Sequence, residues 1–282
     1  MKALIDGDIL VYRSSWVCQK THWTHKDTGE FFDGKMKAKT WFKDICPEQT
    51  FDEDEWDVVE EIEPWRNCKF LLNNYVYEIL KNTHSDEQQI FLTKGKCFRH
   101  DVAVTQPYKA NRPPPPHHKD QAVKYLEEKW RAVHQPQLEA DDLLGLNQTT
   151  ETIIASVDKD LYMIPGLHYD IVKKEINEFD LLAADDWFFM QLIMGDRTDN
   201  IKGLSGTRSN PGLGKAGAEK IMREHAGDTA GLVRTIEQLY KERYGDDEGT
   251  EVMIEHAQLV YILRKGDEPG KEQWRDLLML KQ

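Results

Sequence analysis

A run of three carboxylates within four residues constrains this chain more than any other stretch of its 282 residues. Leu138-Glu139-Ala140-Asp141-Asp142 leads directly into the apolar segment 143–146. On a helix, Glu139 and Asp142 share a face, while Asp141 points about a third of a turn away. Carboxylates this close repel one another, and the dipole at a helix N-terminus offsets only a small part of that repulsion. The sequence therefore predicts positive charge at this point of the fold.

Further acids follow apolar segments elsewhere in the chain. Asp6 follows residues 2–5, which we predict to be a buried strand, and Asp158 and Asp160 follow the apolar stretch 152–157. Asp196 and Asp199 come just after an apolar helix predicted at 187–194. In an open parallel sheet, ligands lie beyond the carboxyl ends of the strands. Oxygen ligands without cysteine or histidine favour magnesium or manganese over zinc. For Asp6 alone, a turn residue or a cap of the helix starting near Ile9 is an equal interpretation.

Composition restricts the class of protein only in part. The net charge of −13 argues against nucleic acid when taken alone, but a bound metal inverts the field around an acid cluster. No apolar run approaches the length of a membrane span, and an acid at position 6 comes too early for a signal peptide. The four cysteines form no CxxC pair, so we expect reduced thiols. We expect a cytoplasmic protein without a membrane partner.

Two loops combine positive charge with aromatic rings. Lys94-Gly95-Lys96-Cys97-Phe98-Arg99 is followed by Tyr108-Lys109-Ala110-Asn111-Arg112. This pattern is typical of a surface that neutralises phosphates and stacks on a base, although a solvated basic loop would look the same. Five glycines between 203 and 217 precede a helix predicted at 218–225, where backbone amides can approach a phosphate.

The spacing of apolar residues predicts an α/β fold with a central, mostly parallel sheet flanked by helices. Helices are expected at 65–81, at 119–133 and from Glu139, and strands at 89–93 and 152–157. We expect a catalytic α/β domain over residues 1–200 and a helical region over 201–282. Residues 19–63 contain a hairpin signal at 28–30, and we expect the rest of them to form a solvated segment on the protein surface.

The order of these motifs resembles that of the 5′-nuclease family. It runs from Asp6 through Tyr-Lys-x-Asn-Arg, Glu-Ala-Asp-Asp and Ser-x-Asp-x-Asp to Gly-Asp-x-x-Asp-Asn before a glycine hairpin. The family includes flap endonucleases, the 5′-nuclease domain of bacterial DNA polymerase I and the 5′→3′ exonucleases of bacteriophages. The small size is most similar to the phage enzymes. The resemblance covers residues 2–8 and 90–282 but not 19–63.

The resemblance implies a phosphodiesterase that uses two magnesium or manganese ions. Its substrate would be DNA with a 5′ end, a 5′ flap or an RNA primer, in replication, primer removal or repair. We expect a monomer that works with replication proteins, in the host cytoplasm if a phage encodes it. The resemblance assigns one ion to Asp6, Glu139, Asp141 and Asp158. It assigns the second ion to Asp160, Asp196 and Asp199, with Asp142 as a nearby supporting acid.

The same resemblance assigns the remaining site residues. Lys109 and Arg112 would lie at the scissile phosphate and Tyr108 would stack on the terminal base. Residues of about 108–135 would form a helical arch or clamp over the 5′ strand. The glycine hairpin would be a helix–turn–helix element that grips the duplex and holds a potassium ion. The implied DNA contacts are Lys94, Lys96, Arg99, Tyr108, Gly212, Gly214 and Lys215.

Two departures from the family pattern leave alternatives open. The family places a metal-binding aspartate just before the Lys-Gly-Lys segment, where this chain has Leu92 and Thr93. The glycine hairpin carries about six additional residues, 205–210, including Arg208. An active magnesium-dependent nuclease is the first hypothesis. The second is a DNA-structure-binding homologue with weak or lost catalysis. The third is an unrelated α/β protein whose acids are caps and surface charges.

Overall fold

The computed structural model describes residues 1–205 and 212–278. The chain divides into two compact units, which interrupt each other along the sequence. The first unit comprises Met1–Asp8, Ile79–Pro113 and Arg131–Gln282, and the second comprises Ile9–Glu78 and Pro114–Trp130. The boundaries of these units differ from the domain boundary expected at residue 200. The division into a catalytic domain and a helical region stays a prediction.

The elements alternate along much of the chain, as an α/β fold requires. The described residues contain strands β1 (Lys2–Asp6), β2 (Gln19–His25), β3 (Phe31–Asp33), β4 (Trp56–Ile62), β5 (Glu87–Phe91), β6 (Thr152–Ser156), β7 (Gly166–Asp170) and β8 (Glu175–Phe179). Their helices are α1 (Gly7–Val17), α2 (Lys35–Ile45), α3 (Trp65–Thr83), α4 (Arg99–Val102), α5 (Lys119–Trp130), α6 (Ala140–Asn147), α7 (Leu181–Met194), α8 (Lys215–Glu224), α9 (Thr229–Tyr244), α10 (Gly249–Val260) and α11 (Trp274–Leu277). None of the helices in this described part is long and apolar enough to cross a membrane.

The first unit is built on a five-stranded sheet of order β5-β1-β6-β7-β8. Strands β5, β1, β6 and β7 run parallel, and β8 is antiparallel to β7. Every residue of β6 is buried, as expected for a strand covered on both faces. Asp6, the last residue of β1, is in register with Phe91 at the end of β5. The predicted fold class is confirmed, and the carboxyl ends of these strands meet at one edge.

The C-terminal helices share the core of this sheet. One apolar cluster joins Leu4 of β1 and Phe188 of α7 to Ile236 of α9 and Met253 of α10. Burying an apolar side chain of this size contributes about 1.5–3 kcal/mol. The buried hydroxyl of Tyr240 donates a hydrogen bond of 2.8 Å to the carbonyl of Leu192. The helical C-terminal part is therefore packed onto α7, the helix that leads to Asp196.

The second unit corrects the expectation for residues 19–63. Strands β3, β2 and β4 form an antiparallel sheet, and Trp23, Phe42 and Trp56 are buried in a small core beneath α2. The prediction of a solvated surface segment is wrong because Trp23 of β2 and Trp56 of β4 pack against Phe42 of α2. The hairpin signal is confirmed, since Gly29 adopts a φ of 72° in the turn between β2 and β3.

Three predicted helices have different ends in the structure. The helix expected at 119–133 ends at Trp130, because Arg131 adopts a φ of 56° and Val133 donates a 2.9 Å hydrogen bond to Ile90 of β5. Helix α7 starts earlier than expected, since the carboxylate of Asp180 caps it at Ala183 N. Helix α8 covers Lys215–Glu224 instead of 218–225. The role of about 108–135 as an arch stays a prediction.

Candidate active site

The turn that follows β6 is tied to the end of β1 by a chain of hydrogen bonds. The hydroxyl of Ser156 donates to Oδ2 of Asp6 at 2.7 Å and accepts from the backbone N–H of Asp158 at 3.0 Å. Asp158 Oδ1 in turn accepts from the N–H of Asp160 at 2.9 Å. Asp6, Asp158 and Asp160 therefore lie together at the carboxyl edge of the parallel strands.

The positive charge predicted beside the triple-acid segment is Arg99. Its two terminal nitrogens donate to the two carboxylate oxygens of Asp142 at 2.7 and 2.8 Å, and Nη1 lies 3.3 Å from Glu139. Arg99, Asp142 and Glu139 are at most 4% exposed. Asp142 also accepts from the N–H of Glu139, which fixes the first turn of α6. In this arrangement Asp142 faces the protein interior and positions Arg99 and Glu139.

The Tyr-Lys-x-Asn-Arg segment lies against two of the acids. The hydroxyl of Tyr108 lies 2.9 Å from Glu139 and 2.7 Å from Asp199. Lys109 forms an ion pair with Glu139 and lies 3.5 Å from Asp199. Arg112 donates to Asp199 at 2.5 Å. The predicted basic pair is thus placed inside the acid cluster.

The acids fall into two groups that differ in the direction of their pKa shifts: one has a lowered pKa and the other a raised pKa. Burial raises the pKa of Glu139, but the charges of Arg99 and Lys109 outweigh burial and hold that pKa below its ordinary value. Burial and the charges of Asp6 and Asp158 raise the pKa of Asp141 well above its ordinary range.

The group with raised pKa values, to which Asp141 belongs, also includes acids after β6 and after α7. Burial and the charge of Asp158, with those of Asp196 and Asp199, raise the pKa of Asp160 to about 8. Burial and the charge of Asp199 raise the pKa of Asp196. The seven carboxylates predicted to bind metal thus form a linked series, in which each interacts electrostatically with at least one other.

The donor set fits a hard divalent cation, because buried carboxylates that repel each other gain most from one. Among residues 1–205 and 212–278, no three acidic, histidine or cysteine side chains are arranged as a ready ligand group. Lys109 and Arg112 donate to Glu139 and Asp199, and the side-chain amide of Gln191 donates to Asp160. Protein donors therefore hold part of the carboxylate set in this structure.

The predicted DNA contacts are divided between surface and interior. Lys94 and Lys96 are exposed on the loop after β5. Arg99 and Tyr108 are only 2% and 7% exposed, so neither presents a surface to DNA in this arrangement. Their burial corrects the expectation of direct DNA contact, because each side chain is held by the acids of α6.

The glycine hairpin is described at its two ends. Ser205 pairs with Gly212, and Gly214 directly precedes α8, whose first residue Lys215 is exposed. The additional residues 206–210, including Arg208, lie outside the described residues. The potassium ion and the duplex contact of Gly212, Gly214 and Lys215 stay predictions.

Sequence reasoning missed two polar residues of the site. Asp8 in the first turn of α1 accepts from the N–H of Thr93, and burial raises its pKa although the Thr93 bonds and Lys109 lower it. Gln191 is 7% exposed and bonds to Asp160. The available signals were the second acid of Asp6-Gly7-Asp8 and one amide within the otherwise apolar end of α7.

The α/β fold gathers acids and basic side chains beyond the carboxyl ends of its parallel strands, which is where such sheets bind their ligands. Two solved structures from bacteriophage T5 share this fold. One is a T5 protein co-crystallised with metal ions, with a TM-score of 0.53, 16% identity, and coverage of 92% of this chain and 88% of that chain. The other is a mutant of the T5 5′-exonuclease, with a TM-score of 0.53, 14% identity, and coverage of 92% and 86%. The resemblance to the 5′-nucleases is confirmed at the level of the fold.

Sequence comparison finds similarity to bacterial DNA polymerases I. The chain is 25% identical to that of Bacillus caldotenax over 231 residues, which is 71% of this chain and 25% of the polymerase. It is 30% identical to that of Rhizobium leguminosarum over 156 residues, 48% of this chain and 15% of the polymerase. The chain thus spans a quarter or less of the length of these relatives. No family model matches it.

Proposed function

We propose that this chain is a metal-dependent 5′ nuclease that hydrolyses DNA at 5′ ends and 5′ flaps. The observation that carries the proposal is the clustering of acids from β1, α6, the turn after β6 and the segment after α7, with Lys109 and Arg112 bonded to Glu139 and Asp199. Asp6, Glu139, Asp141 and Asp158 would hold one ion, and Asp160, Asp196 and Asp199 a second. Magnesium or manganese suits this oxygen set.

Hydrolysis of a phosphodiester is slow because an anionic nucleophile must approach an anion. Two bound divalent ions lower this barrier by generating the nucleophile and neutralising charge on the leaving oxygen. Lys109 and Arg112 are the residues of this chain that would bind the phosphate oxygens beside them. Both already lie at the acids, so a bound metal would free them from Glu139 and Asp199 for the phosphate.

Asp142 and Arg99 would act through Glu139. Their buried ion pair fixes the N-terminus of α6, so Glu139 and Asp141 are held at the strand ends before substrate arrives. Lys94, Lys96 and the N-terminus of α8 would contact the DNA backbone outside the acid cluster. Activity as a 5′→3′ exonuclease with flap endonuclease character, in replication or primer removal, follows from the resemblance. The comparisons do not favour a homologue that only binds DNA.

The test is cleavage of a 5′-flap duplex by the purified chain with and without magnesium. We expect metal-dependent release of the flap or of 5′ nucleotides, and loss of cleavage in Asp158→Ala. The control is Asp180→Ala, which removes an acid that caps α7 in the same unit but lies outside the cluster. This variant should cleave the flap duplex at the rate of the unaltered protein. The proposal would be contradicted if Asp158→Ala still cleaved the flap, or if the unaltered protein cleaved it with none of the divalent metals tested.

A further inference from the structure

Three neighbouring parallel strands differ at their carboxyl ends. β1 ends in Asp6, and Asp158 follows two residues after β6. The residues after β5 are Leu92, which is completely buried, and the uncharged Thr93. The sheet therefore brings two acids to the site directly and leaves its third strand end without one.

Asp8 reaches this strand end from a different element. The N–H of Thr93 lies 3.1 Å from Oδ1 and 3.2 Å from Oδ2 of Asp8. The hydroxyl of Thr93 accepts from the N–H of Ala140, the first residue of α6, at 2.9 Å. Thr93 thus joins Asp8 to the helix that carries Glu139 and Asp141.

Close packing at Gly7 makes this placement possible. A Cβ atom at Gly7 would lie 2.5 Å from the carbonyl oxygen of Phe91, the last residue of β5. Only glycine therefore lets α1 begin this near to β5 and carry Asp8 over Thr93. Ala140 lies between Glu139 and Asp141 in the sequence, so the two hydrogen bonds of Thr93 place the Asp8 carboxylate beside the segment that carries these acids.

We infer that Asp8 supplies the metal site with the carboxylate that β5 does not carry. The inference rests on the proposed function and adds one acid to the set predicted from the sequence. A purely structural Asp8 would do no more than hold the Thr93 N–H. The two roles make different demands, because an amide oxygen satisfies an N–H but is a much poorer ligand for a divalent cation than a carboxylate.

Asp8→Asn separates the two roles. The amide oxygen keeps an acceptor for Thr93, while the negative charge is lost. We expect Mn²⁺ affinity, measured by calorimetry without DNA, to fall at least about tenfold. Asp180→Asn is the matched control, since its carboxylate also accepts from a backbone N–H, at 2.8 Å from Ala183 N, but outside the cluster. It should bind Mn²⁺ like the unaltered protein.

A charge exchange completes the test. The double variant Asp8→Asn/Thr93→Asp returns an acid to the end of β5 and should recover most of the lost affinity. Unchanged Mn²⁺ affinity in Asp8→Asn would overturn the inference. The metal site itself would still be supported if Asp158→Asn bound Mn²⁺ more weakly than the unaltered protein. A loss that the double variant does not recover would overturn the inference, because an acid at the end of β5 would then not replace Asp8. If the unaltered protein bound no Mn²⁺, the proposed function would fail first.

Discussion

Arg99 and Asp142 form a two-point ion pair that is sealed from solvent. The nitrogen–oxygen distances are 2.7 and 2.8 Å, and the two residues are 2% and 0% exposed. Arg99 also donates to the carbonyls of Leu259 and Tyr261, at 2.9 and 2.6 Å. The pair therefore joins the acid helix α6 to the segment at the end of α10.

Removing one partner of this pair should destabilise the protein strongly. Asp142→Ala leaves a buried guanidinium without its counter-charge, so we expect the free energy of unfolding to fall by about 3–5 kcal/mol. Urea denaturation measures the change. Glu224→Ala, which breaks the exposed pair with Lys220, should change stability by less than about 0.5 kcal/mol. Similar losses in both variants would contradict the structural role given to Arg99.

Lys109 should matter for cleavage but not for holding metal. Lys109→Met keeps the aliphatic stem and removes the cation that we propose binds the scissile phosphate, so we expect single-turnover cleavage to slow by about 10²–10³-fold. Mn²⁺ affinity should be equal or higher, because Glu139 loses a competing ion pair. The exposed Lys173→Met is the control. A fall in Mn²⁺ affinity would show that Lys109 organises the acids instead.

Metal binding should strengthen as pH rises. Burial and Asp158 raise the pKa of Asp160 from 3.8 to about 8, so the metal-free fold favours the protonated acid. A raised pKa gives stability that is complete below about pH 4 and is lost as pH rises to about 8. A divalent ion displaces that proton, so its affinity should increase by up to about tenfold per pH unit over this range.

Thermal unfolding at pH 6 and pH 8, with and without magnesium, measures this linkage. We expect a larger magnesium-induced rise in Tm at pH 8 than at pH 6. Asp160→Asn should reduce the difference between the two pH values. Equal shifts at both pH values would show that Asp160 is already ionised in the metal-free protein.

Gly145 of α6 packs directly against the backbone near the C-terminus. A Cβ there would lie 1.9 Å from the carbonyl oxygen of Leu263. In an open helix, Gly→Ala gains about 1 kcal/mol, but this clash should outweigh the gain and cost about 1–3 kcal/mol net. Gly217→Ala in α8 meets only the flexible side chain of Leu213 and should be near neutral. Chemical denaturation of both variants tests the comparison.

Much of the site was predictable because parallel strands place their ends together. Asp6 and Asp158 could be assigned to one edge from the buried strands before them, and motif order added Asp196 and Asp199. The burial of Arg99 was not predictable, since nothing near it in sequence shows that Asp142 will neutralise it. Asp8 was missed for the same reason, because Ile9–Glu78, the first segment of the second unit, separates it from its partner Thr93 in the sequence.

Residues 19–63 show a related limit of sequence reasoning. Three of the seven residues of β4 are acidic, and six of the seven are exposed. The remaining one, Trp56, is buried against Trp23 and Phe42, which belong to other elements. A single aromatic anchor per strand carries too little periodicity to predict a sheet.

The pairing of β1 sets the order in which the chain can assemble. Lys2 is in register with both Glu87 and Thr152, so β1 pairs with strands that are synthesised much later than itself. Contacts of such long separation slow folding. A chain that stops before β6 therefore holds Asp6 without Asp158, so the proposed metal site can form only after strands that lie far apart in the sequence have paired.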